Sequence, residues 1–491
     1  SHVGSNQQFL QLLQRFRIKF PFGKNAADPH HENDDNLLRK GNFMTTLTFY
    51  NGLREIGGTF VVVETDEARC MFDFGFAVMD RMDDKIAVRY NECAADYARL
   101  GVLASQDGIY DEETAKTLGL VSFENDKKKN FFVISHMHID HMGGLGMIDQ
   151  NLPVYMSEDS LKLYRRLEAC GDIQVKGHKN CIGIPYGESF TVGDITVEVE
   201  AIDHDVIGAC GYRITTPGGT ICYTGDYRFH GFHPEITKAF GQKMKGVDVL
   251  ITEGVTVSFD DVDILSLTKP EEPERSEEWL QDKMCKESTE QKGLIIVNPY
   301  NRNVERLHHL IMTAQKTGRK LVMDGVQADY VQTFYPEDEI LMYENSVGAD
   351  AKKAEERGWS IITREELLSN PSKYILQQDY VNFYELMDLS SVVTLYIHMD
   401  GAPLGDYDPS FGKMHRILDH MNIPYMNIGI GGHSRPYYLR TMLDTIAPHI
   451  LVPLHSFRPE QVNTAHADKR ILPEYGECFV FENGEMILKK N

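Results

Sequence analysis

The sequence has no apolar stretch approaching the roughly 18 residues of a membrane span, and it carries no secretory signal pattern. Its eight cysteines are scattered and form no Cys-x-x-Cys pair. Several lie inside apolar runs, as in Ile221-Cys222-Tyr223. They read as reduced core thiols of a cytosolic protein rather than a disulfide framework. Positive charge is scarce, with 50 Lys and Arg against 73 Asp and Glu and a net charge of -23. That balance argues against non-specific nucleic-acid binding over the whole surface. It leaves room for a local basic groove, or for metal ions that supply positive charge where it is needed. There is no internal repeat and no extended low-complexity segment. No methionine precedes Met44, so residues 1–43 read as a leader or tag-like tail, vector-derived or native. Residues 9–20 suit a short amphipathic helix, and His30 and His31 are set aside as part of a polar tract.

What is present is ordinary globular composition, 42% apolar and 25% charged over 491 residues, long enough for two or three domains. Against it stands one dense motif. His136-Met137-His138-Ile139-Asp140-His141 follows the apolar run Phe131-Phe132-Val133-Ile134. The alternating His136 and His138 can point the same way from a strand-end loop, with Asp140 and His141 facing a second point. A metal takes three or four protein ligands, and a catalytic one keeps a position open. Two ligand pairs in one loop therefore suggest two metals side by side. Gly143-Gly144 follows at once and permits close backbone approach.

From Met44 onward strands and helices alternate. Strands are expected at 59–64, 69–73, 131–135, 195–202, 209–215 and 219–224, with Pro217-Gly218-Gly219 as a hairpin turn. Helices are expected at 158–169 and 303–317. The middle opens on an acidic, proline-bearing stretch (269–278). It continues as strand 294–297, strand 320–323, strand 391–397 and helix 411–421, an alternation that suggests a parallel α/β unit. The end returns to a glycine loop (429–432), a helix, strand 450–454 and a hairpin around Asn483-Gly484.

Ligands belong at the ends of rigid strands. His204, Asp226 and His455 each stand at one. A natural division puts His136, His138 and His204 on one metal and Asp140, His141 and His455 on the other. Asp226 bridges, because a carboxylate offers two oxygens and an imidazole one usable lone pair. Histidine and carboxylate donors suit Zn²⁺, with Mn²⁺ as the alternative since no thiolate enforces zinc. Asp73, closing Cys70-Met71-Phe72, is expected to accept an N–H from a ligand histidine and fix its orientation.

This order of motifs resembles the metallo-β-lactamase fold superfamily. Asp73, the 136–141 segment, His204 and Asp226 match its first four motifs. Glu253 in Leu250-Ile251-Thr252-Glu253-Gly254, His433 in Gly431-Gly432-His433-Ser434-Arg435-Pro436, and His455 in Pro453-Leu454-His455-Ser456 resemble the β-CASP nuclease branch. Within it the chain looks most like ribonuclease J in a short form lacking the C-terminal domain. Asn51-Gly52-Leu53-Arg54-Glu55-Ile56-Gly57-Gly58 and the helix start Asn301-Arg302-Asn303-Val304-Glu305-Arg306 carry that likeness. DNA-processing relatives usually have valine where His455 stands. Two departures are a long interval between Asp73 and Ser135, which could carry a different substrate gate, and Asp205, where the family often has serine.

The resemblance implies an α/β protein, a metallo-β-lactamase αββα sandwich with an inserted β-CASP α/β domain. The sandwich would occupy 44–255 and 426–491, and the insert 256–425. It implies a dinuclear, metal-dependent ribonuclease, with endonuclease or 5′–3′ exonuclease action. Asp140, His433 and Glu253 are the catalytic candidates. His433 would be the general acid, tuned by Glu253, or else a phosphate-binding cation. Ser434, Arg435 and Asn301 are candidates for phosphate contacts. His308 and His309 read as packing or surface residues. An RNA substrate, a homodimer and a cytoplasmic setting follow from the same likeness. A lactonase- or thioesterase-type metallohydrolase and a DNA nuclease share the ligands. A degenerate, non-catalytic subunit is disfavoured, since every expected ligand is present.

Overall fold

The computed structural model describes residues 44–76, 89–271 and 275–489. The stretch 9–20, His30 and His31 lie outside them. The expected strands and helices form, with ends displaced by at most two residues. The commonest reason is that the last expected strand residues, such as Ile134 and Ser135, have left the ladder to begin a loop.

Two mixed sheets face each other. The first runs Glu485–Leu488, Cys478–Glu482, Thr45–Asn51, Phe60–Glu64, Ala68–Phe72, Lys129–Val133, Val154–Ser157 and Cys181–Ile184. The second runs Lys469–Arg470, Ile450–Pro453, Val249–Thr252, Gly219–Tyr223, Cys210–Thr216, Ile195–Ala201 and Ser189–Val192. Period-two side-chain alternation makes each sheet two-faced. Val61, Val63, Cys70 and Phe72 point inward and meet Ile195, Val197, Val199 and Ile214 of the facing sheet. Their neighbours Phe60, Val62, Met71 and Phe132 point outward and pack on helix Glu158–Cys170 through Leu163 and Leu167. On the far side Cys222 and Leu250 meet helices Pro234–Lys243 and Pro436–Ile446. The result is helix, sheet, sheet, helix.

Strands Val249–Thr252 and Ile450–Pro453 are hydrogen-bonded neighbours, so the chain leaves the second sheet after one and returns to it at the other. The excursion holds a five-stranded, all-parallel sheet, ordered Lys320–Val322, Tyr374–Gln377, Leu294–Pro299, Val393–Met399, Tyr425–Asn427. Leu294 and Ile296 face one cluster of that unit. Ile295 and Val297 face the cluster that also contains Leu163, Leu167 and Phe132. The insert and the sandwich therefore share one apolar core.

The interval after Asp73 contributes two short helices, Cys93–Arg99 and Glu112–Leu118. Ala94, Ala98 and Ala115 bury against the sandwich in the same cluster. All eight cysteines are free thiols. Among the described residues no helix is long and apolar enough to cross a membrane.

Candidate metal centre

Six loops converge where strands of both sheets end. Asp73 follows Ala68–Phe72, the 136–141 segment follows Lys129–Val133, and His204 follows Ile195–Ala201. Asp226, Glu253 and His455 follow Gly219–Tyr223, Val249–Thr252 and Ile450–Pro453. Strands that end on the same edge deliver their following residues to one place, which is why candidate ligands hundreds of residues apart meet.

Four groupings result, each with donor atoms mutually within 4.8 Å: His136, His138 and His204; His136, His141 and Asp226; Asp140, His141 and His455; Asp226, His433 and His455. In one half, Asp226 Oδ2 lies 3.2 Å from His141 Nε2 and 3.4 Å from His455 Nε2. Asp140 Oδ2 lies 3.5 Å and 3.6 Å from the same two nitrogens. Donors about 2.0–2.1 Å from a tetrahedral ion stand about 3.3 Å from one another, so these spacings fit a metal and are long for direct hydrogen bonds. The other half holds His136, His138 and His204, with Asp226 Oδ2 at 3.8 Å from His136 Nε2 and 4.0 Å from His204 Nε2. Buried Nε2 atoms of His136, His138, His141 and His455 have no hydrogen-bond partner among the described residues. Unpaired buried polar atoms are costly, and four aimed at one small volume are consistent with a dinuclear metal site.

The opposite ring nitrogens are held. His141 Nδ1 lies 2.7 Å from Asp73 Oδ2. Asp73 also accepts from the Ser135 amide at 2.7 Å, the Ser135 hydroxyl at 2.9 Å and the Tyr223 hydroxyl. Thus Asp73 stands where the expected orienting carboxylate should be. His204 Nδ1 donates to the Gly432 carbonyl at 2.7 Å, and the Gly57 amide donates to His455 Nδ1 at 3.1 Å. Asp73 and His455 both have positive φ, 53° and 51°, a conformation that costs a non-glycine residue about 1 kcal/mol or more and gathers at functional sites. Gly75 has to be glycine: a Cβ there would sit 2.0 Å from the Asp140 carbonyl carbon.

Burial holds His136 and His138 well below the usual imidazole range, and neighbouring imidazoles add to the effect. Burial likewise lowers His455, to about 4. Such rings are neutral, and each keeps one lone pair; in His455 a metal at Nε2 requires the tautomer with its proton on Nδ1, where Thr59 Oγ1 lies 3.4 Å away. For His141 burial acts downward, but the Asp226, Asp140 and Asp73 carboxylates prevail and raise it.

His433 differs from the others. Its side chain is 26% exposed, whereas those of His136, His138, His141, His204 and His455 are at most 9% exposed. Its Nδ1 lies 3.2 Å from Glu253 Oε2 and 3.6 Å from Asp226 Oδ2. Burial lowers its pKa, but Glu253 and Asp226 outweigh burial and raise it to about 10. Glu253 is itself fixed by the Tyr227 and Val255 amides, both at 3.2 Å.

The phosphate candidates are placed less uniformly. Ser434 is buried, and its hydroxyl has no partner among the described residues. Arg435 donates to the Arg275 carbonyl at 2.6 Å, and the Asn301 amide donates to Asp379 at 2.6 Å. His308 stacks on Tyr335 with ring centroids 3.9 Å apart and lies 2.7 Å from Asp338. His309 stacks on Phe232 at 3.8 Å. Both are packing residues.

Three further residues, not read as site residues in the sequence, contribute to the site. Tyr300 places its ring 4.9 Å from that of His138. Arg302, with φ 75°, donates to the Met137 carbonyl at 2.6 Å inside the ligand loop and grips Asp172 at 2.9 Å. Asp205 brings Oδ1 to 3.4 Å from His138 Nε2 and 3.3 Å from His204 Nε2. Its place next to His204 was the one available clue.

The two facing mixed sheets are those of a metallo-β-lactamase sandwich, and residues 123–275, which include most of the buried His/Asp cluster, match the Beta-lactamase superfamily domain. Over longer stretches the chain is similar, at 20–26% identity, to ribonuclease J proteins. It is 25% identical over 292 residues to ribonuclease J of Pyrococcus abyssi, covering 57% of this chain and 59% of the relative. It is 23% identical over 390 residues to ribonuclease J 1 of Streptococcus pyogenes, covering 74% of this chain and 64% of the relative. In both alignments the chain spans less than two thirds of the relative's length. A crystal structure of a protein of unknown function from Enterococcus faecalis matches with TM-score 0.74 and 29% identity, covering 89% of this chain and 100% of that one.

Proposed function

We propose that the chain is a dinuclear metal-dependent ribonuclease of ribonuclease J type, cutting RNA internally or from a 5′ end. The observation that carries this reading is the Glu253–His433 pair. Buried Glu253 holds His433, the least buried imidazole of the cluster, and the two residues flank the inserted α/β unit. A lactonase or thioesterase site has no evident need of it. The distant relationship to ribonuclease J points the same way.

Two divalent ions, zinc or manganese, held by His136, His138, His204, Asp226, Asp140, His141 and His455 would supply Lewis acidity and acidify a water. The chain's own residues do the rest. Asp73 and Gly432 hold the Nδ1 protons of His141 and His204 so that these rings present Nε2 to the cluster. Glu253 keeps His433 protonated, and His433 delivers that proton to the departing ribose oxygen. Ser434 is the phosphate contact whose hydroxyl is unengaged among the described residues; Arg435 and Asn301 would join it only by giving up the Arg275 carbonyl and Asp379. The working division is sandwich at 44–255 and 426–491 and insert at 256–425. The expected assembly is a homodimer in the cytoplasm.

The test offers 5′-monophosphate RNA, matched DNA and a model lactone to the protein reconstituted with Zn²⁺ or Mn²⁺. RNA cleavage under one metal is expected. Lactone turnover without RNA cleavage would end the nuclease reading, and a preference for DNA would replace RNA with DNA.

A further inference from the structure

Asp205 belongs to no part of the ligand set assembled above, yet it is 5% exposed and its Oδ1 has no hydrogen-bond partner among the described residues. A buried carboxylate oxygen in that state needs a cation. The nearby Arg228 acts on Asp205 through its charge alone, its hydrogen bonds going to Glu277 at 2.9 Å and to Asp203 at 3.4 Å. Against His204 Nε2 and His138 Nε2 the Asp205 oxygen stands at 3.3 Å and 3.4 Å. An N⁺–H···O⁻ bond would be about 2.7–2.9 Å, whereas two adjacent donors on one ion stand about 3.0–3.4 Å apart, from octahedral to tetrahedral geometry. Asp205 is also nearer to His204 than the bridging candidate is, since Asp226 Oδ2 lies 4.0 Å from the same nitrogen. The glycine loop backs the arrangement. Gly432 accepts the Nδ1 proton of His204, and a Cβ on Gly432 would lie 2.6 Å from the Asp205 carboxyl carbon.

We propose that Asp205 is an eighth protein ligand, which gives the metal of the His136–His138–His204 half a carboxylate of its own besides Asp226. The two halves are then unequal. This one offers three imidazoles and up to two carboxylates, a donor set for a five- or six-coordinate ion. Added oxygen donors shift preference toward Mn²⁺ and away from a four-coordinate zinc. The inference rests on the metal-centre reading and is independent of whether the substrate is RNA.

The experiment compares the wild-type chain with Asp205→Asn and Asp205→Ser, each stripped and titrated with Mn²⁺ against a chelator, and each loaded with Co²⁺ for visible absorption. Wild type should take up two ions. In both variants one Mn²⁺ affinity should fall at least tenfold while the other stays within about twofold. The Co²⁺ d–d bands should intensify as the affected ion drops toward four coordination. Unchanged Mn²⁺ affinities overturn the proposal. So does weakened affinity with unchanged Co²⁺ bands, because Asp205 would then act through its charge alone. Thermal unfolding of the metal-free proteins checks folding. Asp205→Asn should be no less stable than wild type without metal, and a loss of stability there would make the residue a structural one. Fewer than two ions on wild type would instead defeat the dinuclear reading itself.

Discussion

Arg306 grips both oxygens of Glu277, with Nε at 3.0 Å from Oε2 and Nη2 at 2.9 Å from Oε1. Arg228 reaches the same carboxylate from the sandwich side at 2.9 Å, and all three side chains are 0% exposed. One anion thus serves two buried cations, one from the sandwich and one from the insert. Glu277→Gln should cost about 3–5 kcal/mol of stability, the range for breaking a buried ion pair by removing one partner. Denaturant unfolding checks this, and a loss below about 1 kcal/mol would mean that Asp203 and Asp400 suffice as counter-charges.

Asp73 accepts from one ligand histidine and from three groups around it. Asp73→Asn keeps the shape and removes the charge. Metal affinity should fall about 10–100-fold, as for other partners of ligating histidines. Chelator competition measures it, and unchanged affinity would show that His141 is oriented by packing alone.

His433→Ala should abolish RNA cleavage and leave two metals bound, since its side chain is the least buried imidazole of the cluster. A general-acid contribution is worth about 10²–10⁴-fold. Elemental analysis beside the rate assay separates the roles. Loss of one metal would make His433 a ligand, in keeping with its grouping with Asp226 and His455. Near-normal cleavage would remove it from the chemistry.

Asp324 caps helix Gly325–Phe334 through the Val326 and Gln327 amides. Burial raises its pKa to about 6, although Gln327 and Gln377 donate to it. The folded chain therefore keeps a proton that the unfolded chain releases above the ordinary carboxylate range. Stability is greatest below that range and falls as pH rises through about 6. Asp324→Asn preserves a capping oxygen and removes the titration. In chelator, the variant should gain on wild type by up to roughly 3 kcal/mol between about pH 4 and 7. Parallel pH profiles would refute this.

The ligand loop and its strand-end partners were legible because each side chain's position depends on local alternation and on where a strand stops. The topology then supplies proximity. Asp73 could be placed for the same reason. Tyr300, Arg302 and the Arg228–Glu277–Arg306 group could not, because their contacts cross from the insert to the sandwich and depend on how the two pack. Asn301 and Arg435 were read as phosphate contacts from their neighbours in sequence. The structure shows what sequence could not, namely that Asp379 and the Arg275 carbonyl already accept from them.

The apolar cluster that runs from Phe132 through Leu163 to Leu307 and Ile397 is continuous. Parting the two lobes like jaws would wet it, at about 2.5 kcal/mol for each 100 Å² uncovered. Sandwich and insert therefore behave as one body rather than as the two arms of a clamp. They should unfold together rather than hinge apart.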